Sequence, residues 1–165
     1  MRIAGLIQDS IVDGPGFRFV VFTQGCEKKC DGCHNPATWD IEGGTETPID
    51  DIITQMLSNP LTDGITISGG EPLLQAGECA LLAAAARDNG MNVWIYSGYT
   101  YDEITALGKT DPQVSKLIEL TDVLVDGAFV ASKRDLTLKW RGSSNQRIID
   151  VAKSQVEQRA IELDY

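Results

Sequence analysis

Two spacings of apolar residues alternate along the chain. Residues 17–23 (FRFVVFT) are a run of aromatic and β-branched residues that stops short of Gly25, the composition of a strand. Residues 48–59 (PIDDIITQMLSN) open with a proline and acidic residues, then repeat apolar positions at helical spacing. Thr47, just ahead of Pro48, carries the kind of side chain that caps a helix. Residues 64–70 (GITISGG) read as a short buried strand ending at two glycines. Residues 77–90 (GECALLAAAARDNG) read as an Ala/Leu-rich helix closed by Asn89 and Gly90. A strand follows at 92–98, short helices at 101–107 and 112–120, a strand at 121–127 and a helix over 144–160.

Strand–helix alternation predicts an α/β fold with a mainly parallel sheet and helical crossovers. Ligands of such sheets gather at the C-terminal ends of the strands. The chemically unusual residues here follow strand ends: Cys26–Cys33, Ser68–Pro72, Ser97 and Asp126. The 165 residues suit one domain spanning 1–165. A full eight-stranded barrel needs about 250 residues, so any barrel must be partial. No internal repeat or low-complexity linker divides the chain.

A hydrophobic content of 42% is enough to build a packed core. The net charge of −10 argues against nucleic acid bound over a broad surface. The longest purely apolar run is 79–86, far short of the roughly 20 residues that span a membrane. The N-terminus lacks the apolar stretch of a secretory signal, so a cytoplasmic location is expected. Structural disulfides are rare there, and the four cysteines need another explanation.

Cys26, Cys30 and Cys33 lie in GCEKKCDGCHN. Four chemistries use such a cluster. A zinc site would recruit Cys79 or His34 as a fourth ligand. CDGCH matches a c-type haem attachment. Cys30 and Cys33 could form a redox pair, which leaves Cys26 unexplained. An iron–sulfur cluster on three thiolates uses all three and leaves one iron open. Cys79 stands apart and reads as a small buried hydrophobe.

A second motif accompanies the cysteines. The spacing C-x3-C-x2-C, with SGGEP (Ser68–Pro72) after a later strand, resembles the radical S-adenosylmethionine superfamily. Residues 13–26 (DGPGFRFVVFTQGC) are similar to the lead-in of glycyl-radical activating enzymes. WRGSSNQR (140–147) resembles the C-terminal signature of the activating proteins of anaerobic (class III) ribonucleotide reductases, and CDGCHNPATW and LVDGAFV fit them. The likeness covers nearly the whole chain. One departure is Gly32, where many radical enzymes carry an aromatic residue before the third cysteine.

The resemblance implies a partial (β/α) barrel of the radical S-adenosylmethionine type. It implies a [4Fe-4S] cluster on Cys26, Cys30 and Cys33, with an open iron for S-adenosylmethionine. Gly70 and Glu71 would hold the cofactor's amino group, with Gly69 and Pro72 shaping the turn. Backbone from Gly32 through Cys33 to His34 would lie along the adenine, and Ser97 and Asp126 would meet the ribose or carboxylate end. The implied reaction gives a 5′-deoxyadenosyl radical, which takes hydrogen from a glycine of the large reductase subunit. The electron comes from a donor such as a flavodoxin or ferredoxin. Rival readings are an activator of another glycyl-radical enzyme, of the formate-lyase type, and a non-catalytic metal-binding docking module. Within 133–147, Lys133, Arg134, Lys139, Arg141 and Arg147 face one acid, Asp135. That stretch is either a solvated face or a docking surface with Trp140 and Arg141 as anchors.

Overall fold

The computed structural model describes residues 1–165. Its elements in chain order are β1 (Arg2–Ser10), β2 (Arg18–Thr23), β3 (Thr45–Glu46), α1 (Ile49–Met56), β4 (Gly64–Gly69), α2 (Ala76–Asp88), β5 (Asn92–Tyr96), α3 (Tyr101–Gly108), α4 (Pro112–Glu119), β6 (Val123–Asp126), β7 (Arg147–Asp150) and α5 (Val151–Glu157). The strands form one sheet in the order β3-β1-β2-β4-β5-β6-β7. The central four, β2, β4, β5 and β6, run parallel, as the alternation predicts. Antiparallel strands complete both sides: β1 and β3 beside β2, and β7 beside β6. No helix is long and apolar enough to cross a membrane.

Two local expectations need correction, and one strand went unassigned. Residues 144–160 are not one helix. They split into β7 and α5, with Asp150 capping the helix by accepting from Lys153 N at 3.0 Å. The adjacent Ile148 and Ile149 point to opposite faces of a strand, and both faces there are covered by protein. Thr47 does not cap α1. Pro48 occupies the cap position without a side-chain hydrogen bond, and the Thr47 hydroxyl instead donates to Thr45 O at 3.4 Å. Asp50 and Asp51 supply the negative charge that the first turn favours. The N-terminal segment, read above only for targeting signals, is the nine-residue strand β1.

Successive side chains along each central strand go to opposite faces. Phe19, Val21, Ile65, Ile67, Val93, Ile95 and Leu124 join the larger core beneath α1, α2, α3 and α4. The alternate positions Trp94, Val123, Val125 and Ile148 form a second cluster, with Tyr96, Trp140 and Leu163 packed against it. Burial on both faces explains the apolar runs of β5 and β6, whereas β4 alternates Ile65 and Ile67 with Thr66 and Ser68.

Arg18 lies among the residues of the second face, fully buried. Its guanidinium stacks on Trp94 at 5.7 Å and donates to Thr66 Oγ1 at 3.0 Å, to Ile65 O at 2.5 Å and to Asn92 Oδ1. All these acceptors are neutral, and burial pushes the group down to about 10. The Thr66 hydroxyl donates onward to Asp13 O at 2.8 Å. Arg18 therefore ties the 13–16 loop to the strands it crosses. Arg18→Met is expected to cost about 2–4 kcal/mol, since it strands buried acceptors. Urea unfolding measures this, and an unchanged midpoint would mean that desolvation cancels the bonds.

Candidate metal and cofactor site

The C-terminal ends of the parallel strands open onto one cleft of about 130 Å³. The loop after β2 brings Cys26, Lys28, Cys30 and Cys33 to it. The end of β4 brings Ser68, Gly69, Gly70 and Glu71, and the end of β5 brings Tyr96, Ser97 and Gly98. Gly127 follows β6, and Phe129 and Gln146 close the far wall. Thr38 and Trp39 come from the segment after the cysteines. A larger groove of about 750 Å³ between α3, α4 and α5 has no cysteine in its walls.

The glycines at 69 and 70 answer to a backbone seam. Gly70 N donates to Thr23 O at 2.8 Å, and Glu71 N donates to Gly25 O at 2.8 Å. Gly69 has φ +102°, and a Cβ there would lie 2.5 Å from Thr23 N. A Cβ on Gly70 would overlap the Gly25 carbonyl. The close approach that the glycines permit is thus to the strand end carrying Cys26.

Glu71 is buried and caps the short 3-10 turn Pro72–Gln75. Its carboxylate accepts from Leu73 N at 3.1 Å, Ser97 Oγ at 2.9 Å and Gly98 N at 2.8 Å. Burial pushes this carboxyl up, against the pull of those three donors and of the Lys28 charge. Lys28 is the one cation on the cleft wall, with its Nζ 3.6 Å above the Tyr99 ring. Burial also pushes the Cys26 thiol up, while the backbone N–H groups of Lys29 and Lys28 pull it down. Asn35 N donates to Cys33 Sγ at 3.3 Å.

Of the residues singled out in the sequence, Cys26, Cys30, Cys33, Gly69, Gly70, Glu71 and Ser97 line the cleft. Gly32, His34, Pro72 and Asp126 do not. Gly32 makes an exposed turn at φ +72°. The exposed His34 ring leans on Phe129, centroids 5.1 Å apart. Pro72 is buried at the start of its turn. Asp126 is spent on protein: it holds Arg147 through bonds of 3.0 and 2.6 Å and accepts from Tyr101 N at 2.7 Å.

Residues 140–147 form a bracket behind the wall. Gln146 Nε2 donates to Gly127 O at 3.0 Å, and its Oε1 accepts from Gly142 N at 2.9 Å. Asn145 Nδ2 donates to Ala128 O at 2.9 Å. Trp140 and Arg141 are not free anchors. Trp140 packs edge-on to Trp94 at 5.4 Å and Arg141 donates to Gln146 O at 3.0 Å, which leaves Lys133, Arg134 and Lys139 exposed. Sequence reasoning gave no role to Lys28, Trp39, Tyr96 or Phe129. Only Trp39 and Phe129 carried a signal, by lying within family-like segments.

The donor set fits an iron–sulfur cluster better than a closed zinc site. All four cysteines are free, three share the cleft, and Cys79 is buried in the larger core. His34 packs on Phe129 and is not part of the cleft wall, the Glu71 carboxylate is engaged by three donors, and no set of three or more His, Cys, Asp or Glu is gathered to grip an ion. A buried indole N–H without a partner, Trp39 Nε1, borders the same space.

Residues 12–149 match the family model of the 4Fe-4S single cluster domain. The chain is 38% identical over 144 residues to the anaerobic ribonucleoside-triphosphate reductase-activating protein of Salmonella typhimurium, covering 82% of this chain and 90% of that protein. The Escherichia coli K12 protein of the same name is 36% identical over 146 residues, with coverage of 82% and 90%. That of Enterobacteria phage T4 is 32% identical over 145 residues, with coverage of 83% and 86%. This chain belongs to the family of anaerobic ribonucleoside-triphosphate reductase-activating proteins.

Proposed function

We propose that this protein is the radical-generating activator of an anaerobic ribonucleotide reductase, working in the cytoplasm on the large subunit. One observation carries the reading: three cysteines and the glycine–glutamate turn meet in one cleft, in a chain of the reductase-activating family. Cys26, Cys30 and Cys33 would hold the [4Fe-4S] cluster. Held there, the cluster would supply the single electron that splits the S–C5′ bond of S-adenosylmethionine into methionine and a 5′-deoxyadenosyl radical; hydrogen taken from a glycine of the partner would leave 5′-deoxyadenosine and a glycyl radical.

The chain's own part is to bind, orient and exclude water. The seam from Gly70 and Glu71 to β2 fixes the cysteine loop against the cofactor side. Glu71 offers the cofactor's ammonium a carboxylate already oriented by three donors. Ser97 acts through Glu71. The backbone from Gly32 to His34 remains part of the proposal for the adenine side. Asp126 would act only indirectly, by holding Arg147 and the end of α3. We read the open seven-stranded sheet as the partial barrel of the radical S-adenosylmethionine fold. A one-electron donor such as a flavodoxin or ferredoxin would serve the cluster.

Two outcomes are expected. Alanine at Cys26, Cys30 or Cys33 should each reduce iron in anaerobically reconstituted protein to near zero, whereas Cys79→Ala should retain wild-type iron. Full iron in any of the first three variants would remove that residue from the ligand set. Second, reduced wild-type protein should show a cubane paramagnetic signal that changes on adding S-adenosylmethionine, and should then raise a glycyl radical on the reductase large subunit. A signal indifferent to the cofactor would leave a cluster-bearing docking module. A cofactor-sensitive signal with a radical raised only on a formate-lyase-type enzyme would transfer the function to that partner.

A further inference from the structure

Four buried side-chain polar atoms lack a hydrogen-bond partner: Trp39 Nε1, Thr62 Oγ1, Arg141 Nε and Asn145 Oδ1. Only Trp39 belongs to the cleft wall that carries the three cysteines. Leaving a buried donor unpaired is costly, so the position calls for an acceptor within the cleft.

The backbone that carries the indole is held firmly. Cys26 N donates to Trp39 O at 3.3 Å, and Gly25 N donates to Thr38 O at 2.8 Å. The buried Gln24 side chain donates to Ala37 O at 3.1 Å and to Asp40 O at 2.7 Å. Four bonds therefore clamp residues 37–40 to the start of the cysteine loop. The other two tryptophans, Trp94 and Trp140, pack on each other away from the cleft wall.

We infer that the buried, unpartnered Trp39 indole N–H beside Cys26, Cys30 and Cys33 donates to a sulfur of the bound cluster and tunes its reduction potential. The inference rests on the cluster reading above. Sulfur accepts such bonds, and hydrogen bonds to cluster sulfurs shift the potential. A donor stabilises the more negative, reduced form, so its removal makes reduction harder. Trp39 is a positioning and tuning residue, not a catalytic one.

Trp39→Phe keeps an aromatic ring and deletes the N–H. Potentiometric titration followed by paramagnetic resonance, on reconstituted protein without S-adenosylmethionine, should show wild-type iron content and a midpoint shifted to more negative potential. Trp39→His, which restores a ring N–H, should recover part of the shift. A wild-type midpoint in Trp39→Phe overturns the inference, including the case where only affinity for S-adenosylmethionine falls. Wild-type protein labelled with ¹⁵N at the indoles gives a readout that needs no variant. A weak ¹⁵N coupling to the reduced cluster is expected, and its absence overturns the inference. Failure of wild-type protein to form a cluster would instead overturn the functional reading.

Discussion

Two backbone hydrogen bonds hold the site together. They run from Gly70 and Glu71 to Thr23 and Gly25, and they join the end of β4 to the end of β2 just where the cysteine loop begins. They form only because residues 69 and 70 have no side chain to keep the two strand ends apart. The parallel register from Arg18↔Gly64 to Thr23↔Gly69 delivers both ends at the same level. A one-residue slip would turn alternate side chains to the wrong face and unmake the cleft. The sheet therefore supplies the distances, and the seam converts them into a wall shared by the three cysteines and the glycine–glutamate turn.

The second face of the sheet has its own means of support. Its cover consists of loops rather than helices, so its polar groups need specific partners. Arg18 provides them on one side, reaching strand carbonyl, Thr66 and Asn92 while stacking on Trp94. Gln146 and Asn145 provide them on the other, sewing the loop after β6 to residues 140–147. Their family-like sequence thus has a structural cause. WRGSSNQR reads as a signature because it builds the wall, not because each of its residues touches a ligand.

What the sequence disclosed follows from this division. The four parallel strands were legible because each is rich in β-branched or aromatic residues and ends at a glycine or a polar residue. The cysteines and SGGEP were legible because three closely spaced thiols are rare in a chain without disulfides and close backbone approach demands glycine. β7 was not, because its four residues share a periodic pattern with the helix that follows. β3, of two residues, owes its pairing to β1 rather than to its own composition. Asp126 was placed in the site because it follows a strand. Its true partner, Arg147, comes from an antiparallel strand that the reading of 144–160 as helix had hidden.

The electrostatics of the cleft centre on one buried carboxyl. Its single carboxylate, Glu71, is buried among uncharged donors, and burial raises the cost of its charge. A carboxyl raised in the folded state binds a proton more readily there than in the unfolded chain. Its contribution to stability is therefore present on the acid side of that window and is lost as pH rises through it. An ammonium or sulfonium beside Glu71 would reverse the shift, because an opposite charge favours the ionised form. Lys28 does not perform that task fully: its Nζ rests on the Tyr99 ring, with no salt bridge to Glu71. The cleft thus keeps a buried carboxyl whose charge its own donors and Lys28 offset only in part.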